Sequence, residues 1–236
     1  MRFAYLIEPP FNYRDEAGTV TGCDVELARM VFAQIGEGPA TFIETEFAAL
    51  LPGLGAGHWE MTTGLFATDE RRAMALFSRP IWALPDGLLI NAGNPHQLSG
   101  YESCAVRNLP PLAVIRDQFQ HRSAVEFGVE EDRILIFETY ADAATAVEDG
   151  RACAYASVGR AHAGFIAQNP DKPLEIVPVP ATEKQPAFGC YGFARGNEAL
   201  RDRVDEALGT TLGSAAHRQV MADFGFGAAD VDAVLR

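Results

Sequence analysis

Basic residues are scarce in this sequence: 19 Lys and Arg stand against 32 Asp and Glu, and the formal net charge is −13. A surface this acidic repels phosphate backbones and anionic lipid, which argues against nucleic-acid or membrane-surface binding. The chain also lacks an apolar run long enough to cross a bilayer and a basic, apolar leader at its N-terminus. We therefore expect an intracellular protein, or a mature or shortened form of an exported one.

Cysteine and histidine are few and scattered, with four and five residues and no CxxC pair. This spacing predicts no zinc or other metal site. The cysteines are interpreted as buried free thiols or, in an exported protein, as a source of one disulfide among Cys104, Cys153 and Cys190. There is no GxSxG motif, and the alternating glycines between residues 53 and 57 form neither a GxGxxG nor a Walker loop, so no nucleotide cofactor is expected.

Hydrophobic residues make up 48% of the 236 residues, enough for a packed core in one large domain or two small ones. Strand and helix patterns alternate in two successive runs, which indicates an α/β fold with parallel strands in two lobes. In the first run, strands are predicted at Arg2 to Ile7, Ala40 to Glu44 and Trp59 to Thr63, with helices from Asp24, as N-cap, to Ile35 and from Phe47 to Ala56. In the second run, strands are predicted at Ser103 to Val106, Arg133 to Phe137 and Ala152 to Ser157, with helices at Leu112 to Phe127 and Tyr140 to Glu148.

The first three strands are each followed by residues that suit ligand binding. Glu8 and Phe11 follow the first strand, Phe47 the second, and Phe66 and Arg71 the third. Ligands of open α/β sheets bind where the carboxyl ends of strands meet, so one carboxylate, one guanidinium and three rings should converge there. Arginine pairs a carboxylate through two parallel hydrogen bonds, and rings attract a delocalised cation. The group fits a small zwitterion, although each member taken alone also fits a surface or core position.

Four longer motifs stand out in the sequence: "EPPFNYRDEAGTVTGCDVELARMVFAQIG", "EFAALLPGLGAGHWEMTTGLFATDERRAMALFSRPIW", "AVEDGRACAYAS" and "FGCYGFARGNEALRDRVDEAL". Together they resemble a known family, the periplasmic solute-binding proteins of polar amino-acid ABC transporters (family 3). The resemblance implies the type II periplasmic binding protein fold, with two α/β lobes of mainly parallel sheets joined by two hinge crossings and a ligand cleft between them. Residues 1–91 and 192–236 are expected in lobe 1, and residues 92–191 in lobe 2.

The resemblance also implies roles for individual residues. Arg71 matches the arginine that binds the α-carboxylate of the ligand, Phe47 the aromatic that stacks on the ligand, and Phe11 an aromatic after the first strand. Glu8 and Phe66, together with these residues, are similar to the ectoine and hydroxyectoine branch, in which a glutamate pairs the nitrogen of a cyclic amidinium.

The predicted second-lobe contacts are Asn108 and Ser157, and both stand where the sequence departs from the family. The turn at Asn108 contains two prolines in place of a Gly/Thr-rich segment, so two amide donors are lost. Near Ser157 the family usually carries an aspartate for the α-ammonium group, and this chain has no acid there. The missing acid near Ser157 favours a modified zwitterion over an ordinary amino acid.

The sequence therefore predicts an extracytoplasmic protein, without catalytic residues, metal or cofactor, that captures ectoine, hydroxyectoine or a related compatible solute. Its expected partner is the membrane permease of an ABC transporter, and it is expected to act as a monomer. Three alternatives remain: a polar amino-acid-binding protein, a dehydratase-like enzyme with Glu8 as proton donor, and the sensor domain of a receptor.

Overall fold

The computed structural model describes residues 1–235 and divides the chain into two compact units. One unit consists of Met1–Ala83 and the segment that begins at Ala187, and the other is Leu84–Pro186. The chain thus passes between the units twice. The predicted boundaries at residues 91 and 192 fall later, because the strand Asp86–Asn91 pairs inside the sheet of the second unit. The return strand, Ala187–Ala194, likewise begins before residue 192 and pairs inside the first sheet.

The chain order of the elements reproduces the predicted alternation. The first segment contains β1 (Arg2–Tyr5), β2 (Tyr13–Arg14), β3 (Val20–Thr21), α1 (Cys23–Gln34), β4 (Thr41–Glu44), a 3-10 turn (Phe47–Ala49), α2 (Leu50–Gly55), β5 (Met61–Phe66), α3 (Asp69–Arg72) and β6 (Ala75–Leu84). The middle segment contains β7 (Asp86–Asn91), α4 (Tyr101–Cys104), β8 (Leu112–Ile115), α5 (Phe119–Glu126), a 3-10 turn (Glu131–Arg133), β9 (Ile134–Phe137), α6 (Tyr140–Glu148), β10 (Ala154–Val158), α7 (Gly159–Gln168) and β11 (Leu174–Pro178). The last segment contains β12 (Ala187–Ala194), α8 (Glu198–Thr211), α9 (Ala215–Asp223) and α10 (Ala228–Asp232).

Each unit is built around one mixed sheet. The first sheet has the order β4-β1-β5-β12-β6, and the second has the order β11-β7-β10-β8-β9. Parallel pairs join β1 to β4 and β5, and β8 to β9 and β10. The antiparallel pairs involve the crossing strands: β12 on β5, and β7 on β10 and β11. A strand that brings the chain from the other unit can enter the sheet in either direction, so the two sheets are mixed.

Two predicted elements of the second unit are wrong. The segment predicted as a strand at Ser103 to Val106 begins in the short helix α4. The helix predicted from Leu112 to Phe127 is the strand β8 followed by α5, with Asp117 in a left-handed conformation between them (φ 61°). The residues of β8, LAVI, pair with two parallel neighbours, and burial in a central strand outweighs the helical spacing of their side chains.

Each unit contains an apolar core cluster. In the second unit, a buried cluster surrounds Leu88, Leu112 and Ala154; in the first, another surrounds Leu50, Trp59 and Leu65. Among residues 1–235, no helix has both the length and the apolar composition that a membrane span requires.

A buried histidine links three elements of the second unit. His162 in α7 is fully buried. Its Nε2 donates to the carbonyl oxygen of Gly87 at 3.1 Å, and its Nδ1 accepts from the Tyr140 hydroxyl. The ring is therefore neutral, and burial lowers the pKa of His162 to about 3 from its ordinary 6.5.

This histidine predicts acid sensitivity. Below about pH 6.5 His162 is protonated in the unfolded chain, whereas in the folded protein it stays neutral down to about pH 3. The free energy of unfolding should fall through this window, by up to about 1.4 kcal/mol per pH unit. In His162→Gln, which keeps a donor for Gly87, urea unfolding between pH 7 and pH 4 should show a shallower fall. Equal slopes in the two proteins would contradict this prediction.

Candidate functional site

Three loops of the first unit leave its sheet at the same edge. Strands β4, β1 and β5 are parallel neighbours, so their carboxyl ends lie side by side. The segments that follow them carry Glu8, Phe47 and Arg71. This edge is where parallel sheets place ligands, and the loops bring the predicted first-lobe residues to it.

The loop after β1 is a closed turn between Glu8 and Asn12. The Glu8 amide donates to the Asn12 carbonyl at 2.8 Å, and the Phe11 and Asn12 amides donate back to the Glu8 carbonyl at 3.0 and 3.1 Å. The Pro9–Pro10 peptide bond inside the turn is cis. The hydrogen bonds of the turn hold half-buried Glu8 and buried Phe11 just past the end of the strand.

The same turn rests on the start of helix α1. The Cys23 and Asp24 amides, which have no acceptor inside the helix, donate to the carbonyls of Pro10 at 2.9 Å and Phe11 at 3.1 Å. Gly22, the residue before Cys23, has φ 127°, and a Cβ on it would lie 2.1 Å from the Phe11 carbonyl oxygen. Only glycine permits this approach, so the "TGCD" motif fixes the backbone that presents Phe11.

The rings of Phe11 and Phe66 pack against one tryptophan. Their centroids lie 5.3 and 5.8 Å from that of Trp82, with interplanar angles of 42° and 69°. Trp82 lies in β6, and a Cβ on Gly189 of β12 would come within 2.2 Å of its ring. Sequence reasoning missed Trp82, because a tryptophan in an apolar strand looks like an ordinary core residue.

A buried carboxylate fixes the plane of the Trp82 ring. The indole Nε1 donates to Oδ1 of Asp24 at 3.0 Å, while Oδ2 accepts from the Thr63 hydroxyl at 2.7 Å and the Gly64 amide at 2.8 Å. Asp24 is 1% exposed. Burial raises its pKa, and the hydrogen bonds from Thr63, Gly64 and Trp82 oppose that rise.

Asp24 is therefore a link between α1 and the sheet, and its prediction as the N-cap is wrong. The N-cap of α1 is Gly22, and Asp24 lies in the first turn of the helix. Its backbone amide donates to the Phe11 carbonyl in the turn after β1. Its side chain accepts from Trp82 and Thr63 and makes no capping hydrogen bond to the helix.

Arg71 contacts both the backbone of Phe66 and the ring of Phe47. Its side chain is 8% exposed, its Nη1 donates to the Phe66 carbonyl oxygen at 3.0 Å, and its Cζ lies 5.2 Å from the centroid of the Phe47 ring. Thr68 is the N-cap of α3, and its hydroxyl accepts from the Arg71 amide at 3.3 Å. Phe66 thus connects the Arg71–Phe47 pair to the Phe11–Trp82 pair in one group.

Asn108 and Ser157 belong to the second unit. Asn108 is exposed in the connection between α4 and β8. Ser157 is buried in β10, opposite Gly87 of β7. Their roles in ligand binding stay predictions. Within the described residues 1–235, no three His, Cys, Asp or Glu side chains are grouped so that they could hold a metal ion.

Comparison with known proteins identifies relatives over almost the whole chain. Residues 1–224 match the model of the family "bacterial extracellular solute-binding proteins, family 3". A Sinorhizobium fredii protein, described as a probable amino-acid ABC transporter periplasmic-binding protein (y4tE), is 30% identical over 227 residues, which cover 93% of this chain and 74% of that protein. A probable histidine-binding protein of Neisseria gonorrhoeae is 24% identical over 221 residues, covering 91% of this chain and 78% of that protein.

Two solved structures illustrate the likeness in fold. The crystal structure of EhuB in complex with hydroxyectoine has a TM-score of 0.88 and 27% identity, and covers 98% of this chain and 90% of that one. An ancestral arginine-binding protein bound to glutamine has a TM-score of 0.85 and 19% identity, covering 95% and 96%. The second likeness concerns the fold alone.

These findings confirm the family resemblance predicted from the motifs and the α/β fold of the type II periplasmic binding proteins. The family match extends from the first strand through α9 and includes all the residues predicted to bind ligand. The chain therefore belongs to the bacterial extracellular solute-binding proteins, family 3.

Proposed function

We propose that the protein captures a small zwitterion with a delocalised or alkylated cation, with ectoine and hydroxyectoine as the first candidates. The observation that carries the proposal is the group of Arg71, Phe47, Phe66, Phe11 and Trp82 at the edge of the first sheet. Glu8, at the same edge, supplies a negative charge. The likeness to a protein crystallised with hydroxyectoine supports the same ligand class.

Different residues of the site would bind the negative and the positive group of the ligand. Arg71 would hold the carboxylate through its guanidinium, whose planar set of N–H donors matches the two carboxylate oxygens. The ring faces would attract the delocalised cation, with roughly 0.5–2 kcal/mol from each favourable contact. Glu8 would accept from the cationic nitrogen. A primary ammonium group would gain less, because it concentrates its charge and needs several acceptors.

Solute-binding proteins of this family work outside the cytoplasm, bind small molecules and deliver them to the membrane permeases of ABC transporters. We propose the same role and partner here, with the protein acting as a monomer without catalysis. The predicted group contains one acid, Glu8, and no second acid or base to complete a proton-transfer pair. The net charge of −13 supports the absence of a nucleic-acid partner.

A polar amino acid is the second candidate ligand. The relatives in Sinorhizobium fredii and Neisseria gonorrhoeae are described as binding proteins for amino acids and histidine. The Arg71 anchor suits any α-carboxylate. The two candidates differ in what they require around the cation, and a direct binding experiment separates them.

A thermal-shift screen tests the proposal. The panel is ectoine, hydroxyectoine, glycine betaine, arginine, histidine and glutamine. A ligand at a hundred times its Kd stabilises the folded state by about 2.7 kcal/mol, which raises the melting temperature of a protein of this size by roughly 5–10 °C. We expect this shift with ectoines. Micromolar binding of an ordinary amino acid, with no response to ectoines, would establish the second candidate instead.

The variant Glu8→Gln tests how the cation is recognised. It keeps the size of the side chain and removes its charge, so the affinity for ectoine should fall about tenfold or more by titration calorimetry. Glu16→Gln, on an exposed turn between β2 and β3, is the matched control and should bind normally. An unchanged Kd in Glu8→Gln would show that the rings alone hold the cation.

A further inference from the structure

Two of the four cysteines lie together in the core of the second unit. Cys104 is the last residue of α4, and Cys153 immediately precedes β10. Each is 2% exposed, and both belong to one apolar cluster. Cys23 and Cys190 belong to the other unit, so the chain divides its thiols into two pairs by unit.

Within this cluster the Cys104 and Cys153 side chains are neighbours, close enough for the thiol of Cys104 to interact with the sulfur of Cys153. Regular backbone structure holds both ends: the Cys153 amide donates to the Pro111 carbonyl at 2.9 Å, and the Cys104 thiol lies 3.5 Å from the Gly100 carbonyl oxygen. The contact is therefore a fixed feature of the packed core, where side chains have little freedom to move apart.

We infer that Cys104 and Cys153 form a disulfide bond when the protein folds outside the cytoplasm. The inference rests on the extracytoplasmic location in the proposed function and is independent of the identity of the ligand. Oxidising compartments form and keep such bonds, whereas the cytosol keeps thiols reduced. The bond would join α4 to β10 and close the segment between them.

The bond would form by thiol–disulfide exchange while the chain folds and both thiols are still within reach of an external disulfide. The thiolate of one cysteine would attack an external disulfide, such as that of an oxidase or oxidised glutathione, and release one thiol. The other cysteine, losing its proton, would then attack the protein sulfur of this mixed disulfide and release the second thiol. Two protein thiols are oxidised and one external disulfide is reduced to two thiols.

The other two cysteines serve as internal controls. Burial raises the pKa of Cys190 to about 11 and raises the pKa of Cys23. The Cys23 thiol donates to Asp24 Oδ1 at 3.6 Å, and Cys190 packs in the apolar cluster around Leu50. In the described residues, neither has another cysteine as a hydrogen-bond partner, so both should stay reduced.

Thiol counting tests the inference on the full-length chain. The chain is secreted into an oxidising compartment behind an added leader, or refolded with oxidised glutathione, then unfolded without reductant and labelled with N-ethylmaleimide. Two labels and a mass lower by two hydrogen atoms are expected, with peptides containing Cys104 and Cys153 linked. Four labels, or a link that includes Cys23 or Cys190, would overturn the inference.

Matched variants extend the test to stability. Reductant should lower the melting temperature of the oxidised protein by roughly 5–15 °C, because the bond closes a segment of about 50 residues. The double variant Cys104→Ser, Cys153→Ser should show no response to reductant, and Cys190→Ala should respond like the wild type. If a variant fails to fold, the labelling of the wild-type chain still tests the inference, because it requires no substitution and no ligand.

Discussion

Replacing Arg71 with alanine is expected to lower the affinity of the protein for the proposed zwitterionic ligand at least tenfold. Arg71 is 8% exposed, and its guanidinium contacts both the Phe66 carbonyl and the Phe47 ring. Its loss would leave the carboxylate of the ligand without its partner beside buried groups, which costs roughly 2–5 kcal/mol. A loss of this size raises the Kd by a factor of about 30 to several thousand. Titration calorimetry with hydroxyectoine measures it.

Arg72→Ala is the matched control for this experiment. Arg72 is the next residue of α3, is exposed, and donates to the Ala67 carbonyl at 3.0 Å. The two variants remove the same charge from the same helix, so long-range electrostatics change almost equally. Wild-type affinity in Arg71→Ala, or an equal loss in both variants, would mean that Arg71 is a structural arginine and that the carboxylate binds elsewhere.

Trp82→Ala should produce the largest loss of stability, about 3–5 kcal/mol in the free energy of unfolding. The substitution empties the space between Phe11 and Phe66 and removes the donor to the buried Asp24 carboxylate. Both aromatic residues would lose the surface that orients them, so ligand affinity should fall as well. Urea unfolding and titration at a temperature where the variant is folded measure the two effects.

Two phenylalanine variants separate stability from positioning. Trp82→Phe keeps a ring and removes the hydrogen bond to Asp24. Trp59→Phe removes a comparable bond, from a buried indole to the Leu50 carbonyl at 2.9 Å, in the core around α2. We expect both to lower stability by about 1–3 kcal/mol, and only Trp82→Phe to weaken ligand binding. Equal affinities would show that the Phe11 and Phe66 rings keep their orientation without the Asp24 bond.

The sequence predicts the first unit well because the positions of its loops follow from the direction of its strands. Glu8, Phe47 and Arg71 each follow a strand, and the parallel pairing of those strands brings the three loops to one edge. A family resemblance over the same motifs adds roles for the residues. The predicted convergence needed no knowledge of side-chain packing.

Other features depend on contacts between distant residues, which no local pattern reveals. Trp82 and Asp24 are 58 residues apart in the chain, and the pattern around each predicts a core strand and a helix cap. The strand β8 looks helical because its apolar residues suit a buried helix as well as a central strand. The unit boundaries likewise depend on which sheet accepts β7 and β12.

The place of β12 has a consequence for the order in which the protein can be made. This strand lies between β5 and β6 in the first sheet, and its Gly189 borders the ring of Trp82. During synthesis, residues 1–83 therefore emerge with one interior strand of their sheet still missing, and the wall behind Phe11 and Phe66 stays incomplete. The second unit is continuous in the chain and gains its full sheet first. The first unit must wait for about a hundred further residues before its sheet is complete, so it cannot finish folding until synthesis is nearly over.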